Sequence, residues 1–262
     1  TATENVWGAG LKDAKRQSPS TALADVAQSV TGVILGIFLF CHMAFTSSVQ
    51  ISKDLFANLI NTSGGMFMFA EEQAWLHVVF VGFITLCVVI HAFCALRRFP
   101  TSYHQLRDIK AHYKMLRHED TTLWMVQLVT AFLLFIFVFP HLISMLCNPH
   151  GFDVNLIGVH THHMGMIYTF VFLVITELHG MIGLYRLAVK WDIFAKNPET
   201  DIIDQRNGDR AGLRKTFLFI ALLMIVCGTL TAWKNYSIGA ELIENGQEAT
   251  RYVLADENNW WK

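Results

Sequence analysis

The chain has 262 residues, of which 53 % are hydrophobic and only 16 % charged, with a net charge of -1. An ordinary soluble domain carries about 25 % charged residues, so the composition excludes that class and places the chain among membrane proteins. The near-neutral balance gives no ground for a nucleic-acid partner. The five cysteines, Cys41, Cys87, Cys94, Cys147 and Cys227, form no C-x-x-C or C-x-x-C-H, which excludes covalent c-type haem attachment and a disulfide framework.

In chain order, Thr1 to Ser20 are polar and lack the apolar region of a cleaved secretory signal. Five long stretches nearly free of charge follow: Val26 to Ser52, Gln73 to Leu96, Thr121 to Phe152, a fourth after Asp153 to Tyr185 interrupted by Glu177, and Thr216 to Trp233. A hydrocarbon core of roughly 30 Å needs about 20 helical residues, so each predicts a transmembrane helix, with spans near 22–50, 73–98, 120–148, 158–190 and 212–236. Pro140 is placed to kink the third. Strand alternation is absent, and a β-barrel is not expected. No internal repeat is apparent, so residues 1–262 read as one all-α membrane domain. The N-terminal arm and the loops after the second and fourth spans hold 16 of the 20 Lys and Arg residues. Positive residues stay on the cytoplasmic side, which predicts an inner N-terminus and an outer C-terminus.

Ionisable side chains inside a membrane are costly and point to function. Four histidines, His42, His91, His141 and His179, each occupy a different one of the first four spans. His91 lies six residues before Arg97 and His179 seven before Arg186, so both sit about 10 Å from the cytoplasmic boundary at 1.5 Å per residue. His42 and His141 lie near the outer side. The four sort by depth into an inner and an outer pair, the arrangement two bis-histidine haems require. A zinc or copper site would need three or four ligands at one level. A lone buried histidine more often serves as a hydrogen-bonded core residue, but four matched in depth favour ligation. Helical spacing puts Arg186 and Lys190 on the His179 face toward the cytoplasm, where they would meet haem propionates or snorkel to the interface. Gly183 on that face leaves room for a flat macrocycle. Glu177 points about 200° away from His179, and reads as a proton relay or as a hydrogen-bonded carboxyl between helices.

These residues resemble a family. Gln28-Ser29 followed by Gly32 and Gly36, Cys41-His42-Met43, His91-Ala92-Phe93, Arg97-Arg98-Phe99-Pro100, Arg117-His118 with Asp120 to Trp124, and Glu177 to Gly180 running on through Lys190-Trp191 are similar to the dihaem cytochrome b subunit of quinol:fumarate reductases. The likeness covers roughly Gln28 to Trp233. It implies a bacterial inner-membrane anchor for an iron–sulfur subunit and an FAD flavoprotein, in a complex that can itself dimerise. It implies two haem b groups, menaquinol as the electron donor at the outer side, and fumarate reduction in another chain. By position it implies that Gln28, Ser29, Trp124 and Lys190 contact inner-haem propionates, and that Glu177 is the proton-path carboxylate.

Two positions depart from the family pattern. Its quinol-site carboxylate precedes the second span, where the stretch near Gly64 has none. Glu71 and Glu72 are the nearest carboxylates, with His77 further in. An arginine expected at the start of the fourth span is replaced by His160-Thr161-His162-His163, which reads either as contacts to a propionate or quinone or, the favoured reading, as an exposed loop. The same scaffold would also serve a succinate:menaquinone reductase or a non-catalytic anchor. A bc-type cytochrome b, which puts two histidines on each of two helices, does not fit.

Overall fold

The structure is a computed structural model and describes residues 19–69, 73–97, 99–116, 119–193 and 203–254. Its helices are α1 (Pro19–Ser47), α2 (Lys53–Ser63), α3 (Met66–Phe69), α4 (Ala74–Leu96), α5 (Tyr103–Leu116), α6 (Glu119–Cys147), α7 (Val154–Met164), α8 (Met166–Lys190) and α9 (Ile203–Glu244). Among the described residues there is no strand. Five helices are long and apolar enough to cross a membrane, and they correspond to α1, α4, α6, α8 and the greater part of α9. The outward faces of α4 and α9 carry exposed Phe80, Phe83, Leu86, Phe93, Phe219, Leu222, Val226 and Leu230. In water such faces would aggregate, but in a bilayer they meet lipid tails of matching polarity. The α8 helix is central, packing on α9, α6 and α1, while α1 also packs on α4.

The fourth apolar stretch is not one helix. Asp153 caps α7, its carboxylate accepting from the Asn155 and Leu156 amides at 2.9 and 3.2 Å. The chain then breaks at Gly165, whose φ of 80° is a backbone state that glycine adopts without strain, and α8 starts afresh at Met166. The His160–His163 stretch therefore lies on a helix rather than on a loop. Pro140 sits inside the unbroken α6.

One end of the bundle carries a cap with a water-soluble style of core. Val49, Phe56, Ala57, Ile60, Val154, Val159, Ile238 and Leu242 are buried together there, from the short 3-10 turn Ser48–Gln50 after α1, from α2 and α7, and from the end of α9. The C-terminal segment closes over it. The Tyr252 amide donates to the Asp153 carboxylate, and the Tyr252 hydroxyl donates to Asp54 at 2.9 Å. Burial, and then the bond to Asp54, push the Tyr252 phenol pKa up. The opposite end is basic, with Arg97, Lys190 and Arg214 engaging acidic partners.

The helices touch where glycines permit it. A Cβ on Gly239 of α9 would overlap the Gly158 carbonyl of α7. A Cβ on Gly36 of α1 would meet the flexible Leu184 side chain at 2.7 Å. Backbone cannot step aside as a leucine can, so Gly239→Ala should cost about 3 kcal/mol or more and Gly36→Ala about 1 kcal/mol. Thermal unfolding of the detergent-solubilised chain measures both, and the order of the two losses checks the contact assignment.

Candidate functional site

The histidines at the basic end are each gripped by a neighbouring helix. His91 Nδ1 on α4 lies 3.2 Å from the Gln28 carbonyl and 3.2 Å from Thr31 Oγ1 on α1. His179 Nδ1 on α8 lies 3.2 Å from the Gln127 carbonyl and 3.3 Å from Thr130 Oγ1 on α6. The protonation can be deduced. Thr31 spends its single hydroxyl proton on the Ala27 carbonyl at 2.7 Å, and Thr130 spends its own on the Val126 carbonyl at 2.8 Å. A carbonyl can only accept, so in both rings Nδ1 must be the donor. Nε2 is then left with a free lone pair, the state a metal ligand needs.

At the capped end, His42 of α1 and His141 of α6 face each other with ring centroids 6.5 Å apart and planes at 70°. An imidazole nitrogen sits about 2 Å from a metal it binds, so two rings on opposite sides of one iron have centroids about 6 Å apart. These rings are steadied by aromatic contacts. Phe38 stacks on His42 at 5.3 Å, and Phe172 lies against His141 at 5.5 Å.

The helices that supply the inner brackets also supply the outer ligands, and they do so through a repeat that the sequence reading missed. Gln28-x-Val30-Thr31-x5-Ile37-Phe38-x-Phe40-x-His42 on α1 recurs as Gln127-x-Val129-Thr130-x5-Ile136-Phe137-x-Phe139-x-His141 on α6. From threonine to histidine is 11 residues in both, just over three turns and about 16 Å of rise. One face of each helix therefore holds a bracket at one level and a ligand at the other. The polar pair Gln-x-x-Thr inside two apolar runs was the available signal for Thr31, Gln127 and Thr130.

Of the other expected residues, Ser29 is buried and accepts from Lys190 Nζ at 3.2 Å. Gln28 acts in the structure through its carbonyl. Lys190 also lies 3.9 Å from the Asp25 carboxylate, which pairs with Arg97 as well. Asp25 is a member of this cluster that sequence reading did not single out. Arg186 and Lys190 diverge, because Arg186 donates to Gln127 Oε1 at 2.6 Å on the α6 side. Trp124, Asp108, Ile109, Asp120, Thr121 and Arg186 line a cleft of about 640 Å³ at this basic end. Glu177 is fully buried, at 0 % exposure, and neither carboxyl oxygen has a hydrogen-bond partner among the described residues.

At the capped end His77 is buried and stacked on Phe152 at 4.2 Å, with Nε2 3.4 Å from Ser63 Oγ. Glu71 and Glu72 lie outside the described residues. His160 is held below the ordinary imidazole range, first by burial and then by neighbouring His163. His162 stacks on Tyr236 at 4.6 Å, and His163 lies 3.8 Å from Glu248.

The donor set fits haem. The two inner rings present bare Nε2 atoms and the two outer rings lie 6.5 Å apart, so His91 with His179 and His42 with His141 would each hold an iron. Thr31→Val or Thr130→Val keeps the shape but deletes one of the two acceptors at Nδ1. Each should retain haem, lose about 0.5–1.5 kcal/mol of stability, and shift the low-spin ferric EPR signal. Thr46→Val, whose hydroxyl bonds only α1 carbonyls, should leave that signal in place.

Comparison with known proteins adds independent findings. Residues 104–231 match the family described as succinate dehydrogenase/fumarate reductase transmembrane subunit. The chain is 35 % identical to a protein named fumarate reductase cytochrome b subunit from Helicobacter pylori strain 26695, over 99 % of this chain and 97 % of that one. The protein of the same name from strain J99 is 34 % identical over the same shares. The one from Wolinella succinogenes is 32 % identical over 85 % of this chain and 84 % of its own length.

Proposed function

We propose, on the premise that this chain belongs to the family of fumarate reductase cytochrome b subunits, that it oxidises menaquinol and hands the electrons to an iron–sulfur subunit. Membership makes it a multi-pass subunit of an oxidoreductase complex in the bacterial inner membrane, and a haem b binder. The observation that carries the finer reading is the pair of histidine levels, one with bracketed Nδ1 donors and one with rings 6.5 Å apart. Two b haems, one per level, supply one-electron carriage between the two membrane faces.

In this reading the basic end is cytoplasmic, by the bias of Lys and Arg. The iron–sulfur subunit docks there and an FAD subunit reduces fumarate beyond it. His91 and His179 hold the inner iron, and His42 and His141 the outer one. Lys190, Ser29, Gln28 and Trp124 receive the inner propionates, and Lys190 can exchange its Asp25 contact for such a carboxylate. Glu177 carries protons. A carboxyl with no hydrogen-bond partner among the described residues, deep between helices, has both oxygens available to take up and release one. Quinol oxidation at the outer side releases protons there while fumarate reduction consumes them inside. A proton passed inward with each electron would cancel the charge moved.

A reduced-minus-oxidised spectrum with haem quantitation should give about two b haems per chain. His42→Ala or His141→Ala should remove one of them, and His91→Ala or His179→Ala the other. A content of one or none ends this reading. Glu177→Gln reconstituted in liposomes should slow menaquinol turnover, and a normal rate with no added potential would rule out the relay.

A further inference from the structure

At the α7–α8 break, Phe137, Met164, Gly165, Met166, Ile167, Tyr168, Val171 and Tyr236 enclose a cleft of about 630 Å³. Three observations give it a use. First, it opens to the outside of the bundle, since Ile167 on its rim is 83 % exposed, at the start of an apolar span, where a bilayer-soluble ligand can reach it. Second, a chain of rings connects it to an outer ligand. Tyr168 lies 5.0 Å from Phe137, Phe137 stacks on Phe172 at 5.9 Å, and Phe172 lies 5.5 Å from His141. Third, its wall carries hydroxyls in otherwise apolar surroundings. Tyr168 reaches the Phe137 carbonyl only at 3.5 Å, far longer than the roughly 2.7–2.8 Å of a well-made hydroxyl bond. Tyr236 packs on His162, whose buried Nδ1 has no hydrogen-bond partner among the described residues.

The repeat sharpens the point. Counting back 11 residues from His91 reaches Phe80, and 11 from His179 reaches Tyr168. Phe80 meets Phe38 at 5.9 Å as Tyr168 meets Phe137 at 5.0 Å. The two halves thus build the same ring pair at the same height. The α8 half adds a hydroxyl, Tyr168, and the Gly165 break at which the cleft opens.

We propose that this cleft binds the head of a lipid-borne para-quinol, with Tyr168 and Tyr236 bonding its oxygens and the tail leaving past Ile167. The proposal rests on the quinol-oxidising reading above and assigns that activity a place distinct from the loop before α4. The test uses the whole complex in detergent and a photoreactive azido-naphthoquinone with a short isoprenoid tail. Illumination should put adducts on residues 164–171 or around Tyr236. Tyr168→Phe and Tyr236→Phe should each weaken equilibrium naphthoquinone binding about three- to ten-fold, as the loss of one hydrogen bond does. Val171→Trp should fill the cleft and abolish the adducts. Haem content, read from the spectrum of each variant, separates lost binding from lost fold. Adducts confined to other segments, in a complex that still oxidises quinol, would overturn the cleft and leave the function standing. A haem-replete wild-type complex that neither binds naphthoquinone nor oxidises quinol would overturn both.

Discussion

Inside hydrocarbon no water is present to satisfy a polar group, and each one left unpaired costs several kcal/mol. That constraint governs how this chain holds its histidines. A ring that offers Nε2 to a metal must place its Nδ1 proton somewhere. At the inner level the acceptors are a backbone carbonyl and a threonine hydroxyl one turn later, both on the neighbouring helix. The threonine can accept because its own proton already goes to its own helix. The arrangement adds no charged group to the membrane. It also ties α4 to α1 and α8 to α6, so the bonds that set the rings also join the helices in pairs.

The bundle divides its sources of stability by depth. Between the basic end and the cap, long apolar faces are left to the lipid, and helix contact relies on small residues such as Gly36, Gly180 and Gly228 against leucines. At the cap a conventional core forms around the fully buried Phe56, with capped helices and a C-terminal segment pinned to Asp153 and Asp54. The basic end is held by ion pairs, Arg97 to Asp25 and Arg214 to Glu119 and Asp120. These pairs are partly buried on the Asp25 and Arg214 sides and join α1 to the end of α4 and α6 to α9.

The five spans and the four histidines were legible because hydropathy and isolated polar residues are one-dimensional signals. Most of what surrounds them was not. The Gln28 and Gln127 brackets act through backbone carbonyls, which are the same for every residue type. The Gly165 break lies inside one apolar run, and a single glycine there reads as tolerated until its φ is known. The 160–163 histidines look like a loop when the Asp153 cap is not recognised as a helix start. The repeat between α1 and α6 was present in the letters, but only three polar positions in 15 survive among interchangeable apolar residues. It becomes visible once Thr31 and Thr130 are seen doing the same work.

The difference between the two histidine levels also bears on how the protein is built. An imidazole already fixed in tautomer and rotation surrenders no further freedom when iron arrives. His91 and His179 meet that condition through their Nδ1 contacts to Gln28, Thr31, Gln127 and Thr130. His42 and His141 show aromatic contacts and no comparable Nδ1 bracket among the described residues. The two levels therefore differ in preorganisation, the inner rings being set in tautomer and rotation by the neighbouring helix and the outer rings resting against aromatic side chains.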